Sequence, residues 1–262
     1  MNFENIGTPI AIIKKKDSKA KNPKNPPVLS VRSKGVDDEP NQIHEHFNLK
    51  EGDMFQVIPN PNTERQILYI TGASGSGKSF YTQMYGNEYK RLYPKREVYL
   101  FSSLDDDSSI DKIKGIKRIN IKSPDFLTDN ITAEDFKESL VIFDDTDCLT
   151  NKPIKLKVNS ILNSLLETGR HFNASVIFTS HLPCAGNDTK RILNESHQIT
   201  FFPHSLGGRS LKYLLDNYLG LDKQQIKRVK GLDSRWVSVI KSYPQVVVSE
   251  KECYTISHDK DE

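Results

Sequence analysis

The segment 72–79 constrains this chain more than any other. It reads Gly-Ala-Ser-Gly-Ser-Gly-Lys-Ser, which matches the phosphate-binding pattern G-x-x-x-x-G-K-[ST]. An apolar, strand-like run at 66–71 precedes it, and a proline-free, helix-compatible run at 80–89 follows it. The pattern binds phosphate when it joins a strand to a helix in this way. The sequence therefore predicts a nucleoside triphosphate site in an α/β domain.

Each residue type in this loop has a chemical reason. Backbone N–H groups surround a polyphosphate closely only where side chains are absent, which accounts for the glycines. A helix that begins near Lys78 directs its free N–H groups at the same anion. Lys78 is placed to reach the β- and γ-phosphates of ATP, and the Ser79 hydroxyl to hold Mg²⁺. The expected nucleotide contacts are Gly72, Ala73, Ser74, Gly75, Ser76, Gly77, Lys78, Ser79 and Phe80.

The composition fits one large α/β domain with appendages. The chain has 262 residues and a net charge of +3, and no apolar run is long enough to span a bilayer. The beginning of the chain lacks a signal-peptide pattern. Its three cysteines lie far apart, which favours a reducing compartment over a disulfide framework or a metal site. We expect a basic, partly disordered arm or linker at 1–50, an ATPase domain at 51–250 and a tail at 251–262.

From residue 66 onward, strand-like apolar runs alternate with helical patterns. This alternation predicts a mainly parallel sheet with helices on both faces, closed by a β-hairpin near the carboxyl end of the chain. The predicted strands are 66–71, 97–101, 140–143, 175–179 and 199–202, the helices 78–92, 154–168, 188–196, 207–219 and 222–230, and the hairpin 235–239 and 245–248. Shorter extended pieces are expected at 10–13, 54–58 and 119–121.

Two aspartates follow directly on the apolar run 140–143. In a parallel sheet the carboxyl ends of the strands face the phosphate loop, so Asp144 is expected to hold Mg²⁺ there. Asp145 takes the next position, where hydrolytic motors usually carry a glutamate that polarises the attacking water. We expect Asp145 to act as general base or to orient that water. A supporting carboxylate without a proton role is the alternative.

Polar residues also follow the run 175–179. We expect His181 to sense the γ-phosphate from this strand tip, with Thr179 and Ser180 as alternatives. Arg170 lies between the preceding helix and this strand. It either caps the carboxyl end of that helix, where a cation is favourable, or reaches the γ-phosphate of a neighbouring subunit as an arginine finger.

Positive charge is concentrated in two segments. Residues 1–34 contain eight basic and two acidic residues, and residues 209–230 contain six basic and two acidic ones. Such clusters are typical of nucleic-acid contacts, although a basic disordered arm or a solvated helix face has the same composition. The basic residues are Lys14, Lys15, Lys16, Lys19, Lys21, Lys24, Arg32 and Lys34 in the first segment, and Arg209, Lys212, Lys223, Lys227, Arg228 and Lys230 in the second.

Taken together, these motifs resemble the poxvirus-type virion DNA-packaging ATPases of large double-stranded DNA viruses, within the FtsK/HerA superfamily of P-loop motors. The resemblance covers roughly residues 50–250. The phosphate loop and the acid pair are general to motor ATPases, whereas Gly169-Arg170-His171 and the closing Arg235-Trp236-Val237 are more specific to this family.

The resemblance implies a RecA-like sheet with the strand order 5-1-4-3-2 and a homo-oligomeric ring. It implies ATP hydrolysis coupled to translocation of double-stranded genomic DNA into a preformed capsid. It also implies a capsid or membrane-associated virion protein at the packaging site. The expected location is the host cytoplasm, at the viral factory, or the virion, and not the secreted fraction.

Other functions stay open at this point. A small-molecule nucleotide or nucleoside kinase also begins with this loop, but it needs an acceptor pocket and an arginine-rich lid, and the chain has no obvious lid. A cellular-type FtsK/HerA DNA pump shares the same motifs. A binding module that ATP switches without hydrolysis would need the loop but not Asp145.

Overall fold

The computed structural model of the chain describes residues 1–17, 23–32 and 45–256. Within them the chain forms a ten-stranded sheet, a three-stranded sheet and five α-helices. The strands are β1 (Thr8–Lys15), β2 (Val28–Val31), β3 (His46–Asn48), β4 (Asp53–Val57), β5 (Ile67–Thr71), β6 (Glu97–Ser102), β7 (Ile116–Arg118), β8 (Ser139–Asp144), β9 (Ser175–Ser180), β10 (Gln198–Phe201), β11 (Val237–Ile240), β12 (Gln245–Ser249) and β13 (Glu252–Ile256). The helices are α1 (Lys78–Leu92), α2 (Lys152–Thr168), α3 (Asn187–Glu195), α4 (Gly208–Asn217) and α5 (Lys223–Lys230).

The large sheet has the order β3-β13-β12-β11-β10-β5-β9-β8-β6-β7. Neighbouring strands are parallel from β10 to β7, and antiparallel strands extend the sheet beyond β10. The five predicted strands occupy its centre in the order 5-1-4-3-2, and the predicted RecA-like α/β class with a mainly parallel sheet is confirmed. That order does not describe the whole sheet, because β7 is added at one edge and four antiparallel strands at the other.

Helices cover both faces of the large sheet. The central strands β5, β8 and β9 are buried along their whole length, as expected for parallel strands covered on both sides. One face packs against α1, and the other against α2, α4 and α5. In α2 the buried residues recur at helical spacing; they are Val158, Ile161, Leu162, Leu165 and Leu166. Among the described residues, none of the helices combines the length and the apolar character needed to cross a membrane.

Parts of the predicted arm and tail are folded. In the arm, β1 pairs with β2 and with β4 in the separate three-stranded sheet, and Ile10, Ala11 and Ile12 are buried. In the tail, β13 pairs with β12 and β3. The apolar residues of these short strands give them surface to bury, which the charged and polar residues around them in the sequence obscured. The boundaries at 50 and 250 stay a prediction, and residues 18–22, 33–44 and 257–262 lie outside the described residues.

One local expectation was wrong. Residues 119–121 were expected to be extended, but the extended residues are those of β7, where Ile116 pairs with Val98 of β6. The expected closing hairpin is confirmed as the antiparallel pair of β11 and β12. Strand β13 extends it to a three-stranded meander and buries Cys253, Tyr254 and Ile256.

A buried polar network ties α1 to the sheet. Tyr81 Oη lies 2.8 Å from Ser238 Oγ, which lies 2.7 Å from Thr200 Oγ1. Gln198 Nε2 donates to Tyr81 Oη at 3.0 Å, and all four side chains are buried. Trp236 meets the Tyr81 ring edge-on with centroids 5.1 Å apart. Directional contacts therefore fix α1 against β10 and β11.

Candidate functional site

The loop 72–79 lies at the carboxyl edge of the parallel strands. It joins β5 to α1, and the Gly72 N–H donates to Ser180 O at the end of β9 at 3.2 Å. Strands β8 and β9 end beside the loop, as the strand order requires. The structure brings together the predicted site residues Lys78, Asp144, Asp145, Thr179 and His181 at this edge.

The loop backbone requires glycine for conformation and for space. Gly75 has φ 74° and Gly77 has φ 113°, a region that other residues rarely adopt. A Cβ on Gly72 would lie 2.5 Å from Ser76 Oγ. Since Gly77 precedes α1 directly and has no side chain to cap it, the first N–H groups of this helix remain available to an anion.

Lys78, His181 and Asp145 form one hydrogen-bonded chain. Lys78 Nζ lies 3.0 Å from Gly72 O and 3.2 Å from His181 Nδ1, and His181 Nε2 lies 2.9 Å from Asp145 Oδ2. An ammonium group can only donate, so His181 Nδ1 accepts and Nε2 carries the ring proton. The neutral imidazole therefore donates to Asp145 and orients its carboxylate, which also lies 3.8 Å from Lys78 Nζ.

Thr179 bridges the two aspartates, a role that the sequence did not reveal. Its Oγ1 lies 2.9 Å from Asp144 Oδ1 and 3.2 Å from Asp145 Oδ1, and it accepts the Asp145 N–H at 3.0 Å. A hydroxyl has one proton to donate, so the two carboxylates share this donor. Ser102, at the end of β6, donates to the other oxygen of Asp144 at 3.3 Å.

The surroundings of Asp144 fit a divalent cation. Burial and the adjacent Asp145 raise the pKa of Asp144 to about 6, against the hydrogen bonds from Thr179 and Ser102, which lower it. Two neighbouring carboxylates with one of them buried are unfavourable until a cation joins them. The Asp144 carboxylate and the Ser79 hydroxyl, in the first turn of α1, supply the oxygen ligands that Mg²⁺ prefers. These residues would hold the ion.

The backbone at Asp145 explains why this position carries aspartate. Asp145 has φ 47° and ψ 33°, in the left-handed region where aspartate and asparagine are enriched among non-glycine residues. The larger glutamate expected in hydrolytic motors is less favourable in this conformation.

Arg170 lies at the opposite edge of the sheet from the loop. It precedes β9, whose six residues span about 16 Å, and its exposed guanidinium pairs with Glu64. The carbonyls of Leu165 and Leu166 at the end of α2 accept from Arg65 instead. Arg170 therefore neither caps α2 at these carbonyls nor reaches the loop of its own chain, and its role as an arginine finger stays a prediction.

The remaining loop residues differ in exposure. Ser74, Gly75 and Phe80 are exposed, and the Phe80 side chain faces solvent at the start of α1. Ser76 Oγ is buried and has no hydrogen-bond partner in the described part of the chain. Contact of these residues with a nucleotide stays a prediction.

Two contacts on the other side of the loop were missed at the level of sequence. Ser205 Oγ, in the segment between β10 and α4, accepts the Ala73 N–H at 3.2 Å. Arg235 Nη2 lies 3.5 Å from the position that a Cβ on Gly77 would occupy. Both residues are far downstream of the loop, so that only the pairing of β10 and β11 beside β5 brings them close.

Replacing Thr179 by valine tests the bridge between the aspartates. We expect the free energy of unfolding to fall by about 1–3 kcal/mol, because the variant leaves the Asp145 N–H and Asp144 Oδ1 without this partner. Urea denaturation measures the change. The matched control is Thr82→Val, since Thr82 Oγ1 is buried without a partner among the described residues and its loss should cost nothing. Equal stabilities of the two variants would contradict the bridge.

Comparison with other proteins found one curated relative of high similarity. No protein-family model matches the chain. Uncharacterised protein V3 of the Sputnik virophage is 40% identical over 224 residues, which cover 84% of this chain and 89% of that protein.

Solved structures that are similar to this chain include two ATPases. The DNA-packaging ATPase B204 of Sulfolobus turreted icosahedral virus has a TM-score of 0.47 and 15% identity, over 72% of this chain and 98% of that one. The cytoplasmic domain of the type VII secretion ATPase EccC of Thermomonospora curvata has a TM-score of 0.46 and 11% identity, over 74% of this chain and 26% of that one. At these TM-scores both likenesses concern the general fold at most.

Proposed function

The chain belongs to the same family as protein V3 of the Sputnik virophage, and we propose that it is an ATP-hydrolysing motor that moves double-stranded viral genomic DNA into a capsid. The observation that carries ATP hydrolysis is the convergence of Lys78, Asp144, Asp145 and His181 on one phosphate loop. A loop that only bound a nucleotide would not need a carboxylate oriented by a histidine at its edge.

The site residues have different roles in the proposed reaction. The loop N–H groups, the amino end of α1 and Lys78 bind the phosphates. Asp145, held by the proton on His181 Nε2, is placed to accept a proton from the attacking water. Mg²⁺ held by Asp144 and Ser79 would neutralise phosphate charge.

A basic surface supports DNA as the second substrate. On α4 and α5, exposed cations have no carboxylate partner among the described residues; they are Arg209, Lys212, Lys223, Lys227 and Lys230. By contrast, Lys14 and Lys15 of the arm pair with Glu88 and Asp53. Unpaired exposed cations attract the phosphate backbone regardless of sequence, so the surface of α4 and α5 is the better candidate.

We extend the proposal to assembly and location. In a homo-oligomeric ring, Arg170 of one subunit would complete the site of the next, which is supported by its distance from the loop of its own chain. If the function is poxvirus-type packaging, the docking partner is a capsid or membrane-associated virion protein. The protein would then be located at a viral factory in the host cytoplasm or in the virion. Membership in a family with a virophage protein supports the viral setting.

Hydrolysis that depends on DNA and on salt is the expected signature. We expect double-stranded DNA to stimulate ATP hydrolysis, and salt to weaken DNA binding with a logarithmic slope of about −4.5 if the five cations of α4 and α5 each neutralise one phosphate. A phosphate-release assay over a salt series measures this, with Lys78→Ala as the inactive control. A rate of ATP hydrolysis that changes neither with DNA nor with salt would contradict the proposed DNA-translocating motor. Phosphate transfer to nucleosides in place of water would instead indicate the kinase.

A further inference from the structure

The phosphate loop has two different sides along the sheet. Strands β8 and β9 lie on one side of β5 and bring Asp144, Asp145 and His181 to the loop. Strands β10 and β11 lie on the other side. Since β11 runs antiparallel to β10, with Val237 opposite Phe201, the residues just before β11 lie at the same edge as the loop. Arg235 is one of them.

The backbone at Arg235 is firmly held. Its N–H donates to Glu250 Oε2 at 3.0 Å, and Ser234 Oγ donates to Trp236 O at 2.6 Å. Trp236 is buried against Tyr81 of α1. Because α1 begins at the phosphate loop, this packing sets the position of Arg235 relative to the loop.

The guanidinium of Arg235, however, makes no polar contact with the described part of the fold. The residue is exposed, and its side chain has no carboxylate or hydrogen-bond partner among the described residues. Its Nη2 nevertheless lies beside Gly77, 3.5 Å from where a Cβ would be. A positioned cation without a structural partner therefore lies next to the uncapped amino end of α1.

We propose that Arg235 binds a phosphate of the nucleotide in its own subunit, from the side opposite Asp145 and His181. The proposal rests on the proposed function, because it presupposes that the loop binds a nucleoside di- or triphosphate. The planar guanidinium can donate two parallel hydrogen bonds to phosphate oxygens, which an ammonium cannot. Arg235 acts at the amino end of α1, where the loop pattern places the α- and β-phosphates. Loss of the Arg235 guanidinium should therefore weaken the binding of ADP as well as the binding of ATP.

The test is the affinity for nucleotide, measured by calorimetry with ADP and with ATP in the presence of Mg²⁺. We expect Arg235→Ala to weaken the binding of both nucleotides about 10- to 100-fold, the range for hydrogen bonds to charged groups. Arg235→Lys should be intermediate, since it keeps the charge and loses the fork. The matched control is Lys95→Ala, which removes an exposed cation just beyond the carboxyl end of α1 that also lacks a carboxylate partner among the described residues. Circular dichroism confirms that each variant is folded.

The outcomes separate this inference from the proposed function. If the wild-type protein binds neither nucleotide, the proposed function fails and the inference fails with it. If the wild type binds and Arg235→Ala binds equally well, the inference alone is overturned. It is also overturned if Lys95→Ala weakens binding as much as Arg235→Ala does, because the effect would then reflect net charge. Selective weakening in Arg235→Ala supports it.

Discussion

Replacing Arg170 by alanine is expected to lower ATP turnover of the assembled protein by about 10³- to 10⁵-fold, the range for an arginine finger. Nucleotide binding by each subunit should change little, because Arg170 lies at the edge of the sheet opposite its own loop. The fold should be retained as well. Arg170 is exposed and, among the described residues, pairs with the exposed Glu64; surface ion pairs of this kind add little to stability because water screens them.

Mixing experiments make this prediction specific to a shared site. When Arg170→Ala subunits are mixed with wild-type subunits, the rate of ATP hydrolysis should fall by more than the fraction of variant added. Steady-state hydrolysis over a series of mixing ratios measures this. Glu64→Gln is the matched control, because it breaks the same ion pair yet leaves the guanidinium in place, and it should retain turnover. Wild-type turnover in Arg170→Ala would remove the finger from the mechanism.

Asp145→Asn is expected to lower turnover by about 10²- to 10⁴-fold, the contribution of a general base, while nucleotide binding persists. Asparagine tolerates the left-handed backbone at this position, and its amide oxygen can still accept from His181 Nε2. The substitution therefore removes the basic group with little change of shape. A variant such as Asp145→Ala would also remove the acceptor for His181 and would be harder to interpret.

Single-turnover hydrolysis measured beside equilibrium binding separates the two effects. The matched control is Asp147→Asn, the same chemical change two residues further along, where the carboxylate accepts from Ser180 Oγ at 2.6 Å. It should keep its turnover. If Asp145→Asn hydrolyses ATP as fast as the wild type, Asp145 is not the base, and a supporting carboxylate becomes the better interpretation.

Local sequence was sufficient to predict the central strands of the sheet and the position of the phosphate loop. The run 66–71 and the glycines after it specify a strand, a tight turn and a helix start within about 15 residues. The run 140–143 followed by Asp144 likewise predicts a buried strand with an acid at its carboxyl end. Parallel strands share one edge, so the meeting of these two segments followed from their types alone.

Contacts between distant segments could not be predicted in this way. In the sequence, Thr179 is simply the last residue of a predicted strand. Its hydroxyl lies between the two aspartates because β9 pairs with β5 on one side and with β8 on the other. Arg235 depends on the antiparallel register of β11 with β10. The strands near the amino end were obscured because short apolar runs inside a basic, proline-rich segment carry little periodicity.

The polar network around Tyr81 has a mechanical consequence. Sliding or rotating α1 against β10 and β11 would break hydrogen bonds among four buried side chains, and each group left unsatisfied in a dry interior costs about 1–3 kcal/mol. The helix that receives the nucleotide and these two strands therefore behave as one stiff body. Displacements that accompany binding and hydrolysis of the nucleotide are expected outside α1, β10 and β11, in segments that make no hydrogen bond to this network.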